Sequence, residues 1–380
     1  MVLALLLVMT LYSAAARAEL RLFIGKDTLN ETQTHALAKM LETQLQDAVA
    51  WDRQQGEAGF SKRMLDGDAP HLAILHADEI VQWAEAGMLT PLDGLMEDLD
   101  TVDETIIGAC VTDERLFAIP LGMRQHTMAV DPSWLEKIRM GYLMDERMYP
   151  AWNYAQVLQL LDELALKGDA GLEIWPPEEE HVLCVEALLQ GVCGSWFEDG
   201  ATEAASVNLE RMTDGFVWLE EMVEAGLIDV TESRDAALES FIGGETAIFI
   251  DWTPEESRRY AEALEAGSIR LLPYPSVSGI PFGAAQVICL IVPACGDEEA
   301  AQQARRAAAL LGSGGYAQRI LGEALHGTQE TQWVISMSTL KGGATLRALF
   351  AQAIAEILWE DMPAKEAAQR IGRAMQVIVR

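Results

Sequence analysis

Residues 241–256, FIGGETAIFIDWTPEE, constrain the fold more than any other stretch of the chain. Gly243-Gly244 interrupts whatever precedes it, and Thr246-Ala247-Ile248-Phe249-Ile250 is a short apolar, β-branched run of the kind that forms a buried strand. Asp251-Trp252 stands where that strand ends. Thr253, Pro254 and Glu256 then read as an N-cap, a first-turn proline and a capping-box acid, so a helix is expected immediately afterwards. A carboxylate and a large aromatic are thus expected at a strand-to-helix turn, the edge at which open α/β sheets bind ligands. Taken alone, the pattern equally describes a strand end with a surface Asp and a half-buried Trp.

A single strand-turn-helix unit needs a sheet around it, and the chain is long enough to supply one. Its 380 residues allow two domains of ordinary size, and a hydrophobic fraction of 50% provides the core. The balance of 27 basic against 59 acidic residues gives a net charge of −32, which argues against nucleic-acid and anionic-membrane partners. The acids are scattered over helical segments, as at Glu210, Glu220, Glu221 and Glu224, and so act in solubility.

The first 18 residues read as a signal peptide, with an apolar run over 2–12 and Ala16-Arg17-Ala18 as the cleavage site. No Lys or Arg precedes the run, which keeps an uncleaved anchor as the alternative. No Cys stands near Ala18, so a lipid anchor is not supported. The expected location is therefore outside the cytoplasm, in a periplasm or on the extracellular face of the membrane. Five cysteines (Cys110, Cys184, Cys193, Cys289, Cys295) allow at most two disulfides, and Cys184 with Cys193 are close enough in sequence for a local bridge while also suiting a helical core. Six dispersed histidines (His35, His71, His76, His126, His181, His326) show no ligand spacing, so no metal and no other cofactor is expected.

Strands are expected at 20–24, 71–75, 115–122 continuing into 127–130, 246–250, 270–275 and 287–292. Helices are expected at 30–49, 60–65, 79–86, 153–166, 180–190, 208–225, 298–311, 344–358 and 364–379. The segment 191–200, rich in Gly and aromatics, reads as a loop, and Gly283-Ala284 as a turn. Alternation of strands and helices implies an α/β fold.

Five pieces in order resemble the extracellular solute-binding proteins of ABC importers, of the carbohydrate-type, maltose-binding-protein-like family. Residues 86–93 (AGMLTPLD) are similar to the family's G-x-L-x-P-L-D, 116–122 (LFAIPLG) to its Y-x-I-P, and 241–252 to its F-x-x-G-x-A-A-M strand. Tyr149-Pro150-Ala151-Trp152 resembles its P-x-T-W-D-E, and Glu224-Ala225-Gly226-Leu227 its K-x-G-L. The chain departs from the family at Pro70-His71, at Ala129-Val130-Asp131 and at Asn153-Tyr154. The resemblance implies a two-lobed periplasmic-binding-protein-like α/β fold with a hinge and an interlobe ligand cleft. Lobe 1 would hold 19–123 plus 280–327 and lobe 2 would hold 124–279 plus 328–380, with the hinge through 120–128 and 275–283. It further implies a monomer that captures a small solute, a sugar or oligosaccharide, and presents it to a membrane ABC permease.

Sugars are recognised by aromatic faces laid on their C–H surfaces and by planar polar groups that reach their hydroxyls. The expected ligand-binding residues are Lys26, Asp27, Asp78, Arg124, Gln125, Trp196, Asp251, Trp252 and Tyr274, with Phe197, Trp152, Trp51 and Trp175 as further aromatics. Core packing is the competing role for each Trp. Arg124 offers a fork for hydroxyls or a carboxylate. No catalytic residues are expected. A carbohydrate-active enzyme remains an alternative because 59 acids supply carboxylate pairs by chance. A degenerate binding domain serving as a sensor or surface interaction module is another. G-x-S-x-G, P-loop and G-x-G-x-x-G motifs are absent.

Overall fold

The computed structural model describes residues 19–378 other than 27, 47, 54–56, 100–101, 103, 146, 150, 169, 178–181, 198–205, 278, 295–297, 313–331 and 336. The expected signal peptide, Asp27, His181, Cys295 and His326 lie outside the described residues. Two compact units emerge: Met1–Val102, Cys110–Gly122 and Ile288–Leu325 in unit 1, and Asp103–Ala109, Met123–Val287 and His326–Arg380 in unit 2.

The first segments are β1 (Leu20–Ile24), α1 (Glu31–Leu45), β2 (Val49–Arg53), α2 (Glu57–Leu65), β3 (Leu72–His76) and α3 (Ile80–Glu85). α1 begins where a helix was expected, and Asn30 starts it through a capping box with Gln33. The helix expected to reach 49 stops at Leu45, because Gln46 turns left-handed at φ 56° and frees the chain for β2, an unpredicted strand. β1 lies between β2 and β3, parallel to both, with Leu22 opposite Trp51 and Leu72. All five residues of β3 are buried, the mark of a strand covered on both faces.

The long strand β4 (Ala118–Val130) runs without a break through Pro120 and Gly122, although those residues were expected to punctuate it. Next come α4 (Pro132–Lys137), α5 (Tyr154–Ala165), β5 (Ala170–Ile174), α6 (Val182–Cys193), α7 (Leu209–Glu224), β6 (Asp229–Val230), α8 (Arg234–Ile242), β7 (Thr246–Trp252) and α9 (Pro254–Arg259). The chain closes with β8 (Arg270–Leu272), β9 (Phe282–Ile291), α10 (Glu298–Gly312), β10 (Gln332–Ile335), α11 (Gly343–Trp359) and α12 (Ala364–Ile378). Gly283-Ala284, expected as a turn, are paired inside β9.

In unit 1, residues 288–291 of β9 pair antiparallel with β3, setting Cys289 opposite Leu75. In unit 2, β7 lies between β4, antiparallel to it, and β5, parallel to it; β6 continues the sheet beyond β5, and β8 pairs with β4. β5 and β6 had no sequence forecast. β5 is short, carries Gly171 and Glu173, and owes its place to neighbours on both sides.

Large aromatics run through the mainly aliphatic core of unit 2. Trp175 stacks on Phe249 at 5.8 Å, and Trp196 and Phe216 both pack on Phe350. Residues 191–193, expected in a loop, extend α6, and Gly191 is required there: a Cβ would lie 2.2 Å from the Pro275 carbonyl oxygen. Cys184 and Cys193 share that helix nine residues apart, which separates them by about 13 Å, so of the two readings that their spacing allowed the local bridge is excluded and the helical one holds.

An acid on α6 sits inside this core. Glu186 on α6 is fully buried and accepts from the Gln190 amide at 3.0 Å, whose own oxygen accepts from the Trp196 N–H at 3.1 Å. Burial pushes its carboxyl up to about 8, against the pull of the Met337 N–H, Arg347 and Gln190. The folded state therefore holds a proton that the unfolded chain releases above the ordinary Glu range, so the contribution is complete below about pH 4.5 and is lost as pH rises to about 8. The unfolding free energy from urea titrations should fall across that window by on the order of 1.4 kcal/mol per pH unit. Glu186→Gln should flatten the dependence; an unchanged slope in that variant would exclude Glu186 as its source.

Candidate functional site

The stretch 241–256 forms the elements it predicts, with a shift at the strand end. β7 includes Asp251 and Trp252, which were expected in a turn after it, because Trp252 still pairs with Thr127 of β4. Thr127 faces Trp252 and Ala129 faces Phe249, so two residues, Ile250 and Asp251, oppose Met128 alone. This bulge re-aims the local side chains. Thr253 caps α9 as foreseen: its hydroxyl accepts from the Glu255 N–H, and its N–H donates to the Glu256 carboxylate at 3.0 Å.

Asp251 is fully buried and is held by an imidazole and a guanidinium that its sequence neighbourhood does not reveal. One carboxylate oxygen faces His126 Nδ1 at 2.6 Å, and the other accepts from Arg234 Nε. Arg234 also donates from Nη2 to the Asp251 carbonyl at 2.8 Å and pairs with Glu256 at 3.0 Å. Its guanidinium lies over the Phe249 ring at 5.4 Å. Against an acceptor-only carboxylate, His126 carries a proton on Nδ1, which leaves Nε2 to face the Gln286 side chain at 3.4 Å.

The electrostatics follow from this packing. Burial alone would lower the Arg234 pKa, but the Asp251 and Glu256 carboxylates reverse it and hold the group above its ordinary value. Burial likewise raises Glu256, and the Thr253 hydroxyl and Arg234 outweigh it and leave the carboxyl below its usual range. Asp251 thus acts as the anchor of a buried ion cluster in unit 2.

Trp252 is 1% exposed, between Phe241 and Tyr260, with its Nε1–H donated to Ser257 at 2.9 Å. Tyr274 is buried and donates its hydroxyl to the Ile250 carbonyl at 2.6 Å. Burial holds that phenol well above its ordinary pKa. Trp196 is buried against Phe350. These three aromatics were expected to present faces to a sugar from loops; the structure places them in the unit 2 core, because each has apolar neighbours or a backbone partner within its own unit. Trp152 and Trp175 are buried too, and Phe197 and Trp51 are half-buried.

The remaining polar candidates stay accessible. In unit 1, Lys26 is exposed in the turn after β1, and Asp78 is half-buried in the short 3-10 turn Ala77–Glu79 after β3. In unit 2, Arg124 is half-buried and Gln125 exposed along β4. Strand alternation on β4 puts His126 on the buried side with Met128 and leaves Gln125 outward, and that was the one available signal for His126. Arg234 carried a weaker one, as the first residue after the N-cap Ser233. Among the described residues, no group of three His, Cys, Asp or Glu side chains is placed to hold a metal ion, and no helix is long and apolar enough to cross a membrane.

No protein-family model matches the chain, and no curated protein matches it. Solved structures do. The GacH receptor of Streptomyces glaucescens, solved unliganded and with acarbose and an acarbose homolog, matches at a TM-score of 0.71 and 16% identity over 94% of this chain and 98% of that one. The sugar-binding protein MalE of Xanthomonas citri matches at 0.72 and 12% identity, over 95% and 97%. An ABC substrate-binding protein of Listeria monocytogenes in complex with cycloalternan matches at 0.68 and 14% identity, over 95% and 98%. At such identities the likeness speaks for the fold, and this chain has the periplasmic-binding-protein-like α/β fold of the ABC solute-binding proteins.

Proposed function

We propose that this chain is an extracytoplasmic solute-binding protein that captures a small carbohydrate, a sugar or oligosaccharide, and delivers it to an ABC permease. The observation that carries the reading is the near-full-length correspondence, at least 94% of each chain, with proteins described as binding sugars or sugar-like ligands. Lys26, Asp78, Arg124 and Gln125 are the proposed direct contacts, since their side chains remain accessible to a solute. Asp27 is assigned beside Lys26 on sequence alone. Asp251, Trp252 and Tyr274 act from beneath, as the packed and ion-paired support of β7 and its neighbour β4, which carries Arg124 and Gln125, and Trp196 acts from the packing against Phe350. The mature chain is proposed to start after residue 18, with the lobes and hinge segments that the family resemblance implies.

A thermal-shift screen over sugars, oligosaccharides and polyols tests this reading. A ligand should raise the unfolding temperature, because binding to the folded state alone stabilises it in proportion to RT ln(1 + [L]/Kd). It should also reduce the radius of gyration in small-angle scattering, the signature of hinge closure. No shift and no compaction across the library would favour the second reading, a degenerate domain used as a sensor or interaction module. That reading draws its support from the burial of the three aromatics expected to face a sugar. Release of reducing sugar from an oligosaccharide would point instead to an enzyme.

A further inference from the structure

We propose that Cys110 and Cys289 form an intramolecular disulfide when the chain folds in the presence of a thiol–disulfide oxidant. Their sulfurs are 3.4 Å apart in unit 1, although 179 residues separate them in sequence. Both side chains are buried, at 1% and 0% exposure. Both backbones are pinned: the Cys110 carbonyl accepts from the Phe117 N–H at 3.0 Å, and Cys289 sits in the β9–β3 ladder opposite Leu75. A disulfide requires about 2.05 Å between sulfurs, so the pair must close by roughly 1.4 Å, within reach of side-chain rotation.

Cys184 and Cys193 have no such geometry, as their shared helix shows. The bridge would also stand at a telling place in the chain. Unit 1 is left after Gly122 and re-entered at Ile288, so Cys110 and Cys289 lie on the outgoing and returning segments that bracket residues 123–287 of unit 2. A covalent link there restrains the longest internal excursion of the unfolded chain, the case in which cross-linking removes most entropy.

The chemistry balances by exchange. One cysteine thiolate attacks the oxidant's disulfide and expels one thiol; the second cysteine then attacks the mixed disulfide and expels the other. The two cysteine thiols lose two protons and two electrons, and the oxidant is reduced to two thiols. In the folded dithiol, burial holds the Cys289 thiol well above its ordinary range, with Cys110 and Asp78 adding to the effect. The bond therefore forms during folding, while both sulfurs are still open to solvent. Once packed, it should resist reductants unless denaturant is present.

The inference is independent of any solute and is tested on the full chain in vitro. Protein refolded in oxidised and reduced glutathione is alkylated in denaturant and digested without reductant. The expected results are a titre falling from five thiols per chain to three, five less the bridged two, and a cross-linked peptide joining Cys110 to Cys289. Reductant should lower the urea midpoint of this protein and leave that of the Cys110→Ser/Cys289→Ser variant unchanged. Full alkylation of both cysteines in wild-type protein, or either one paired with Cys184, Cys193 or Cys295, would overturn the proposal.

Discussion

Arg234→Met is expected to lower the unfolding free energy by about 3–5 kcal/mol, the range found when one partner of a buried ion pair is removed. The physical reason is that Asp251 is fully buried and Arg234 serves it twice, through the carboxylate and the main-chain carbonyl. Removing the guanidinium also strips Glu256 of its cation. Methionine keeps much of the apolar stem over Phe249, so the loss reports charge more than packing. Urea denaturation followed by tryptophan fluorescence measures it. The double variant Arg234→Met/Asp251→Asn should recover part of the loss, because the charge of Asp251 is then gone while that of Glu256 remains without its cation. A loss below about 1 kcal/mol in the single variant would mean that Asp251 is neutralised without Arg234.

Trp252→Ala is expected to cost about 3–5 kcal/mol, as large-to-small changes of fully buried aromatics do. Its ring has Phe241 on one side and Tyr260 on the other, and its N–H is spent on Ser257, so truncation opens a cavity and leaves a donorless hydroxyl. Trp252→Phe should restore most of the packing but not the hydrogen bond, and lose less. If Trp252→Ala kept the wild-type urea midpoint and lost only ligand binding, the side chain would belong to the ligand surface and not to the core.

Local chemistry made several elements legible without a structure. The capping box at Thr253 marked a helix start, because a side chain three residues away is all that such a motif needs, and the structure shows the same motif at the helix starts read at Asn30 and Asn153. Leu20–Ile24 was legible as a strand from its unbroken apolar run. The elements that escaped were β2, α4, β5, β6, α8 and β10, which are short or weakly patterned and are secured by their sheet neighbours or by packing on β7. The family resemblance, carried by five short motifs, led to the same fold as comparison with solved structures, where whole-chain matching to family models found nothing.

The stretch 241–256 shows where the two levels part. By itself the sequence determined that a buried strand would end at an acid and an aromatic and pass into a capped helix, since propensity and capping act over a few residues. Only the tertiary structure decided what Asp251 does. His126 comes to it from 125 residues away and Arg234 from 17, and a carboxylate on the surface and one clamped between an imidazole and a guanidinium are written with the same letter. Partner choice across a sheet is a long-range packing outcome, and no local pattern in the chain encodes it.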